Sequence, residues 1–130
     1  MLNITKRAEY AIIALAHLAN NGQSSAKAIA AEYGLAKAMM ANVLKALSAK
    51  SIVKSVRGTK GGYVPAVEAG DLDMSTVITA IEGPIEVVCC DSDCSSKDKC
   101  LIRDKMVEAQ DKIKAIFDGI KVSDFVNKEA

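Results

Sequence analysis

The chain has 130 residues, half of them apolar and a quarter charged, which is enough for one folded domain and argues against wholesale disorder. No apolar run reaches the roughly 18 residues of a membrane-spanning helix, and the opening Met1-Leu2-Asn3-Ile4-Thr5-Lys6-Arg7 lacks the apolar core of a secretory signal; a cytoplasmic protein without membrane contact is expected. The net charge of +1 hides a division: residues 1–67 carry nine Lys/Arg against two acids, a net +7, while residues 68–130 carry eight against fourteen, a net −6.

In chain order, Ile4, Ala8, Ile12, Leu15 and Leu18/Ala19 recur at helical spacing and predict a helix over 5–20, ended by Asn20-Asn21-Gly22. Ser24-Ser25 offers an N-cap for a second helix running to Tyr33. Gly34 supplies a sharp turn into a third helix over 36–49, with Leu35, Val43, Leu44 and Leu47 facing inward. Two short helices joined by a glycine turn form a helix-turn-helix pattern, although helix-Gly-helix also occurs in many helical cores.

The next segment sharpens that pattern. Ile52, Val53 and Val56 mark a short strand, Arg57-Gly58-Thr59-Lys60-Gly61-Gly62 a basic loop, and Tyr63-Val64-Pro65 a returning edge strand. A hairpin with a glycine-rich basic tip behind a helix-turn-helix reads as a wing. Glycine lets the backbone approach phosphate closely, and Arg57 and Lys60 suit phosphate or a minor groove. An ordinary surface hairpin with solvated lysines is the plain alternative. The basic half as a whole suggests a polyanion surface, again with ordinary solvated charge as the rival.

Residues 68–73 read as a linker, and Asp73 or Ser75 caps a short helix that runs to Ile81 and stops at Gly83-Pro84. Cys89, Cys90, Cys94 and Cys100, the only cysteines, follow within a polar stretch. Clustered thiolates point to a metal or a redox sensor rather than to stapling disulfides. The Cys-Cys-x3-Cys-x5-Cys spacing fits no pair of zinc knuckles and suits an iron–sulfur cluster held by three of the four. A long helix is predicted over 101–118, with Gly119 as its stop and a last turn over 123–128. Ile102, Met106, Ala109, Ile113 and Ile116 step by four and three, a seam for a second copy or for this chain's own core. The lone His17 reads as a packed or exposed helix histidine.

Ser55-Val56-Arg57-Gly58-Thr59-Lys60-Gly61-Gly62-Tyr63 resembles the IscR/NsrR/CymR (Rrf-two) family of bacterial winged-helix transcription regulators. Leu2-Asn3-Ile4-Thr5-Lys6, Glu9-Tyr10-Ala11, Ile29 to Leu35, Ala80-Ile81-Glu82-Gly83-Pro84 and Cys94-x5-Cys100-Leu101 resemble it too, so the likeness spans nearly the whole chain. It implies a mainly α fold with a small β-hairpin: a winged helix-turn-helix plus a long C-terminal dimerisation helix. The divisions are 1–67 for DNA binding, 68–100 for linker, short helix and cysteine loop, and 101–130 for dimerisation helix and tail. A homodimer would bind a near-palindromic double-stranded DNA operator through Lys37, Asn42, Lys45, Arg57, Thr59 and Lys60. Asn42 would read adenine, and Lys37 and Lys45 would meet phosphate.

The resemblance also implies an iron–sulfur cluster, 2Fe–2S favoured over 4Fe–4S, on Cys90, Cys94 and Cys100, with Cys89 as the alternative to Cys90. The sequence departs from the family at that loop, whose usual first gap is x5 where x3 or x4 stands here. Arg103 occupies the position of a ligand histidine and cannot ligate, whereas Glu9 occupies that of an acid ligand supplied by the partner subunit. The third helix, Ala36-Lys37-Ala38-Met39-Met40-Ala41-Asn42, has fewer polar side chains than the family usually places there.

Two rival readings follow. One is a cluster-free thiol-responsive or cysteine-metabolism repressor of the CymR type, with a cysteine-biosynthesis enzyme as partner. The other is a small metal-carrying enzyme subunit. Against catalysis, the chain has no recognisable paired carboxylates, Ser-His-Asp set or dinucleotide fingerprint, and Gly58 to Gly62 lacks the Gly-Lys-Ser/Thr of a phosphate loop.

Overall fold

The computed structural model describes residues 3–87 and 100–126. Five α-helices and one hairpin follow in the order α1 (Lys6–Asn21), α2 (Ala26–Tyr33), α3 (Lys37–Ala49), β1 (Val53–Val56), β2 (Gly62–Pro65), α4 (Met74–Glu82) and α5 (Arg103–Asp118). Short 3-10 turns lie at Ala69–Asp71 and Val122–Phe125. Among the described residues no helix is long and apolar enough to cross a membrane.

Local chemistry accounts for the helix ends. Thr5 Oγ1 accepts from the Ala8 N–H at 3.1 Å, Ser25 Oγ from the Ala28 N–H at 3.0 Å, and Asp73 Oδ1 from the Thr76 N–H at 2.7 Å. Each satisfies an orphan donor of a first turn. α3 begins at Ala36, which has no capping side chain; its N–H instead donates to Tyr10 Oη on α1 at 3.0 Å. Gly34 turns α2 into α3 at φ 64°, ψ 38°, a left-handed conformation that costs a residue with a Cβ about 1–2 kcal/mol.

One core joins all three segments of the chain. Leu18, Ile29, Met40, Val43, Leu44 and Leu47 are fully buried, and Val53, Leu72, Val77, Ile81 and Val122 close around them. Met40 takes an inward place, while Leu35 packs only partly buried at the margin. Removing the Leu44 side chain to Cβ would cost about 2–5 kcal/mol. Val122 reaches this core because the chain turns back after α5: the Met74 N–H donates to the Ile120 carbonyl and the Val122 N–H to the Leu72 carbonyl, both at 2.8 Å.

β1 and β2 pair antiparallel, Val53 opposite Pro65 and Val56 opposite Gly62. The hairpin is also stitched to the α1–α2 connection, where Ser24 and Tyr63 exchange backbone hydrogen bonds at 3.1 and 2.8 Å. Glycine is required at position 62, because a Cβ there would lie 2.7 Å from the Ser24 backbone.

α5 has no buried residue. Its Ser75-facing side rests on α4, where Ser75 Oγ donates to the Lys114 carbonyl at 3.2 Å. Of the heptad seam, Met106, Ala109 and Ile113 are half-buried, whereas Ile102 and Ile116 are 58% and 63% exposed.

Candidate nucleic-acid interface

Met40, Val43, Leu44 and Leu47 bind α3 to the core, and the helical period therefore turns Ala38, Asn42, Lys45 and Ala49 outward. Lys37, Asn42 and Lys45 are exposed, as are Arg57, Thr59 and Lys60 at the wing. The tip is tight: the Gly61 N–H donates to the Gly58 carbonyl at 3.0 Å, and Gly58 sits at φ 118°. A Cβ on Gly61 would meet the Val56 carbonyl oxygen at 2.5 Å, so this hairpin end closes only on glycine.

The charges of this surface are unspent. Lys27, Lys37, Lys45, Lys50, Lys54, Arg57 and Lys60 form no ion pair with any described residue. Exposed cations of one sign on an outward helix side and on an adjoining hairpin make a positive field that suits a polyanion.

Beneath the wing lies a polar hub. His17, 8% exposed, meets Tyr33 Oη through Nδ1 at 2.8 Å and Ser24 Oγ through Nε2 at 3.1 Å. Asn21 Nδ2 also donates toward Nδ1, at 3.3 Å, and Ser24 Oγ donates on to the Gly22 carbonyl. The Asn21 amide nitrogen can only donate, so Nδ1 serves as its acceptor and Nε2 is left to face Ser24. The Tyr33 ring stands edge-on to His17, with centroids 5.4 Å apart. The Gln23 side-chain amide donates to the Lys60 carbonyl at the wing tip. α1, α2 and the wing are thereby held by one set of hydrogen bonds, and neither His17 nor Gln23 carries a local sequence signal for it.

A second link also joins distant positions. Arg7 on α1 donates through Nη2 to Asn42 Oδ1 on α3 at 3.0 Å, and through Nη1 to the Ile81 carbonyl and Glu82 Oε1 at 3.3 and 3.4 Å. Asn42, read from sequence as a base reader, is thus engaged on its oxygen side.

The candidate cluster residues are only partly described. Cys89, Cys90 and Cys94 lie outside the described residues. Cys100 is half-buried ahead of α5, and Glu9 lies in the first turn of α1 with Oε1 3.8 Å from Lys6 Nζ. Among the described residues no three His, Cys, Asp or Glu side chains gather as metal ligands. The chain enters the cysteine segment from Val87, whose N–H donates to Gln110 Oε1 of α5 at 2.7 Å.

The family model described as "Rrf2: Iron-dependent Transcriptional regulator" matches residues 4–128. The chain is 25% identical to the HTH-type transcriptional regulator IscR of Cronobacter sakazakii, over 98% of this chain and 82% of that one. Among solved structures, CymR of B. subtilis, the global cysteine regulator, superposes with a TM-score of 0.80 at 26% identity over 100% of both chains. IscR of T. potens gives 0.74 at 26% identity, over 95% of this chain and 85% of that one.

Proposed function

The chain belongs to the Rrf2 family of iron-dependent transcriptional regulators, and from that premise we propose that it binds a near-palindromic operator as a homodimer whose grip is gated by an iron–sulfur cluster. It is a DNA-binding regulator rather than an enzyme. The observation that carries the operator reading is the set of exposed cations on α3 and the wing without a described ion-pair partner. α3 enters the major groove; Lys37, Lys45, Thr59 and Lys60 meet phosphates, and Arg57 reaches the flanking minor groove. Residues 1–67, 68–100 and 101–130 divide these roles, DNA grip, sensing and dimer contact, around one shared core.

The cysteine-rich segment supplies the soft thiolate donors an iron–sulfur cluster takes, Cys90 or Cys89 with Cys94 and Cys100, and Glu9 of the partner subunit completes the set. These residues would hold a cluster of the 2Fe–2S type in preference to 4Fe–4S, which would give a redox- and iron-responsive tie between that segment and α1 of the partner subunit. The chain's own residues carry the consequence. Val87 is hydrogen-bonded to α5, and the end of α4 is hydrogen-bonded through Arg7 to both α1 and α3. A shift of the segment is therefore felt at the DNA-facing helix.

The likeness to CymR over its full length supports a second reading, a cluster-free regulator responding to thiol chemistry. One experiment separates them. Protein purified without oxygen is analysed for iron and sulfide, then titrated with selected operator DNA with and without its cluster. Bound iron and sulfide with altered operator affinity on their loss is the expected result. Iron-free protein with unchanged affinity, forming reversible disulfides under mild peroxide, overturns the cluster reading in favour of the second.

A further inference from the structure

The Arg7–Asn42 contact bears on which base the protein reads. A guanidinium has N–H donors and no acceptor, so only the amide oxygen of Asn42 can face it. Oδ1 is thereby turned toward Arg7 at 3.0 Å, and Asn42 Nδ2 donates to no described residue although Asn42 is exposed on the outward side of α3. Arg7 is itself held in place from behind by the Ile81 carbonyl and Glu82 at the end of α4. A free asparagine pairs with adenine by accepting from N6 and donating to N7, which needs both ends of the amide. An asparagine held by its oxygen next to a cation offers donors and a positive field. Guanine, with acceptors at both O6 and N7, matches that better than adenine, whose N6 amino group needs an acceptor.

We infer that Arg7 is a specificity-determining residue: by holding the Asn42 amide oxygen it makes the DNA-facing helix select guanine rather than adenine at the base Asn42 meets. This rests on the operator reading above, with α3 in the major groove. Arg7 acts through Asn42 and touches no base, so removing it changes which base is chosen more than how tightly the protein binds.

The test is selection from a pool of randomised duplex DNA with the full-length protein and two variants. The parent is expected to enrich guanine over adenine about tenfold at one position of each half-site. Arg7→Ala frees the amide and reverses that preference toward adenine by a similar factor. Asn42→Asp keeps the contact with Arg7 but turns a carboxylate oxygen to the groove, and moves the same position toward cytosine, whose N4 amino group donates. Arg7 is half-buried and Asn42 exposed, and Asn42→Asp leaves the Arg7 contact intact, so the inference does not hang on one variant. Arg7→Ala and Asn42→Asp motifs that match the parent's base for base overturn this inference alone. A parent protein that recovers no motif overturns the operator reading, and this inference with it.

Discussion

The basic front of the molecule and the charge-balanced α5 treat their cations in opposite ways. On α5 every cation has a carboxylate nearby: Arg103 with Asp104 at 3.8 Å, Lys105 and Lys112 with Glu108 at 3.4 and 3.2 Å, Lys114 with Asp118 at 3.4 Å. Lys105, Lys112 and Lys114 pair at helical spacing, where such solvent-screened pairs add little stability. Over residues 27–60 no cation has such a described partner. Self-neutralised charge beside exposed apolar side chains suits contact with another protein surface; charge left unpaired suits phosphate. The same residue types thus serve different partners, according to what the chain places one helical turn away.

The sharpest way to break that contrast is at the apolar seam. Ile116→Asp puts a charge where two copies are proposed to meet. It should yield monomers in sedimentation and weaken operator binding by about a hundredfold or more, since one half-site then acts without the other. A dimer that survives this change with full affinity would place the contact elsewhere than on α5.

Within the dimer, Arg57→Ala should weaken operator binding by about tenfold and lessen the slope of log affinity against log salt by about 2, one cation per protomer withdrawn from the DNA. Lys112→Ala, which removes a paired cation, should change neither quantity. Titrations over a salt series read both, and equal slopes for the two variants would erase the distinction between the regions.

A smaller effect is expected at the hub. His17→Ala leaves Ser24 and Tyr33 without their buried partner and should cost about 1–3 kcal/mol in denaturant unfolding. It should also loosen the wing, read as faster amide exchange at Tyr63, whose N–H donates to Ser24.

The smallest lies in the C-terminal region. The Ser75 hydroxyl, shared between Asp118 and the Lys114 carbonyl, holds the Asp118 carboxyl below the ordinary value of 3.8; burial works against it, and the Lys114 ammonium and Lys121 add to the lowering. A lowered carboxyl contributes stability that is present above that ordinary value and lost as pH falls through the native one. Asp118→Asn should therefore be slightly less stable than the parent near neutrality, and the difference in unfolding midpoint should fade in acid below about pH 3.8.

Much of this architecture follows from the sequence because its causes are local. Thr5, Ser25 and Asp73 cap the helices they precede, Gly34 makes the left-handed turn between α2 and α3, and the glycine-rich basic tip closes the hairpin. Those effects act within a few residues and need no knowledge of the rest of the chain. The exposed position of Lys45 follows as well, because the helical period fixes what faces away from Val43, Leu44 and Leu47; Lys37 is exposed as the first residue of α3, and Arg57 and Lys60 as part of the hairpin tip. Three arrangements were decided only by tertiary packing. They are the return of Val122 to the core, the Ser24–Tyr63 stitch that carries the wing, and the hold of Arg7 on Asn42. Each joins groups tens of residues apart in the chain, and a hydrogen bond depends on where two atoms lie to within a few tenths of an ångström. No spacing along the chain encodes that; the shared core does.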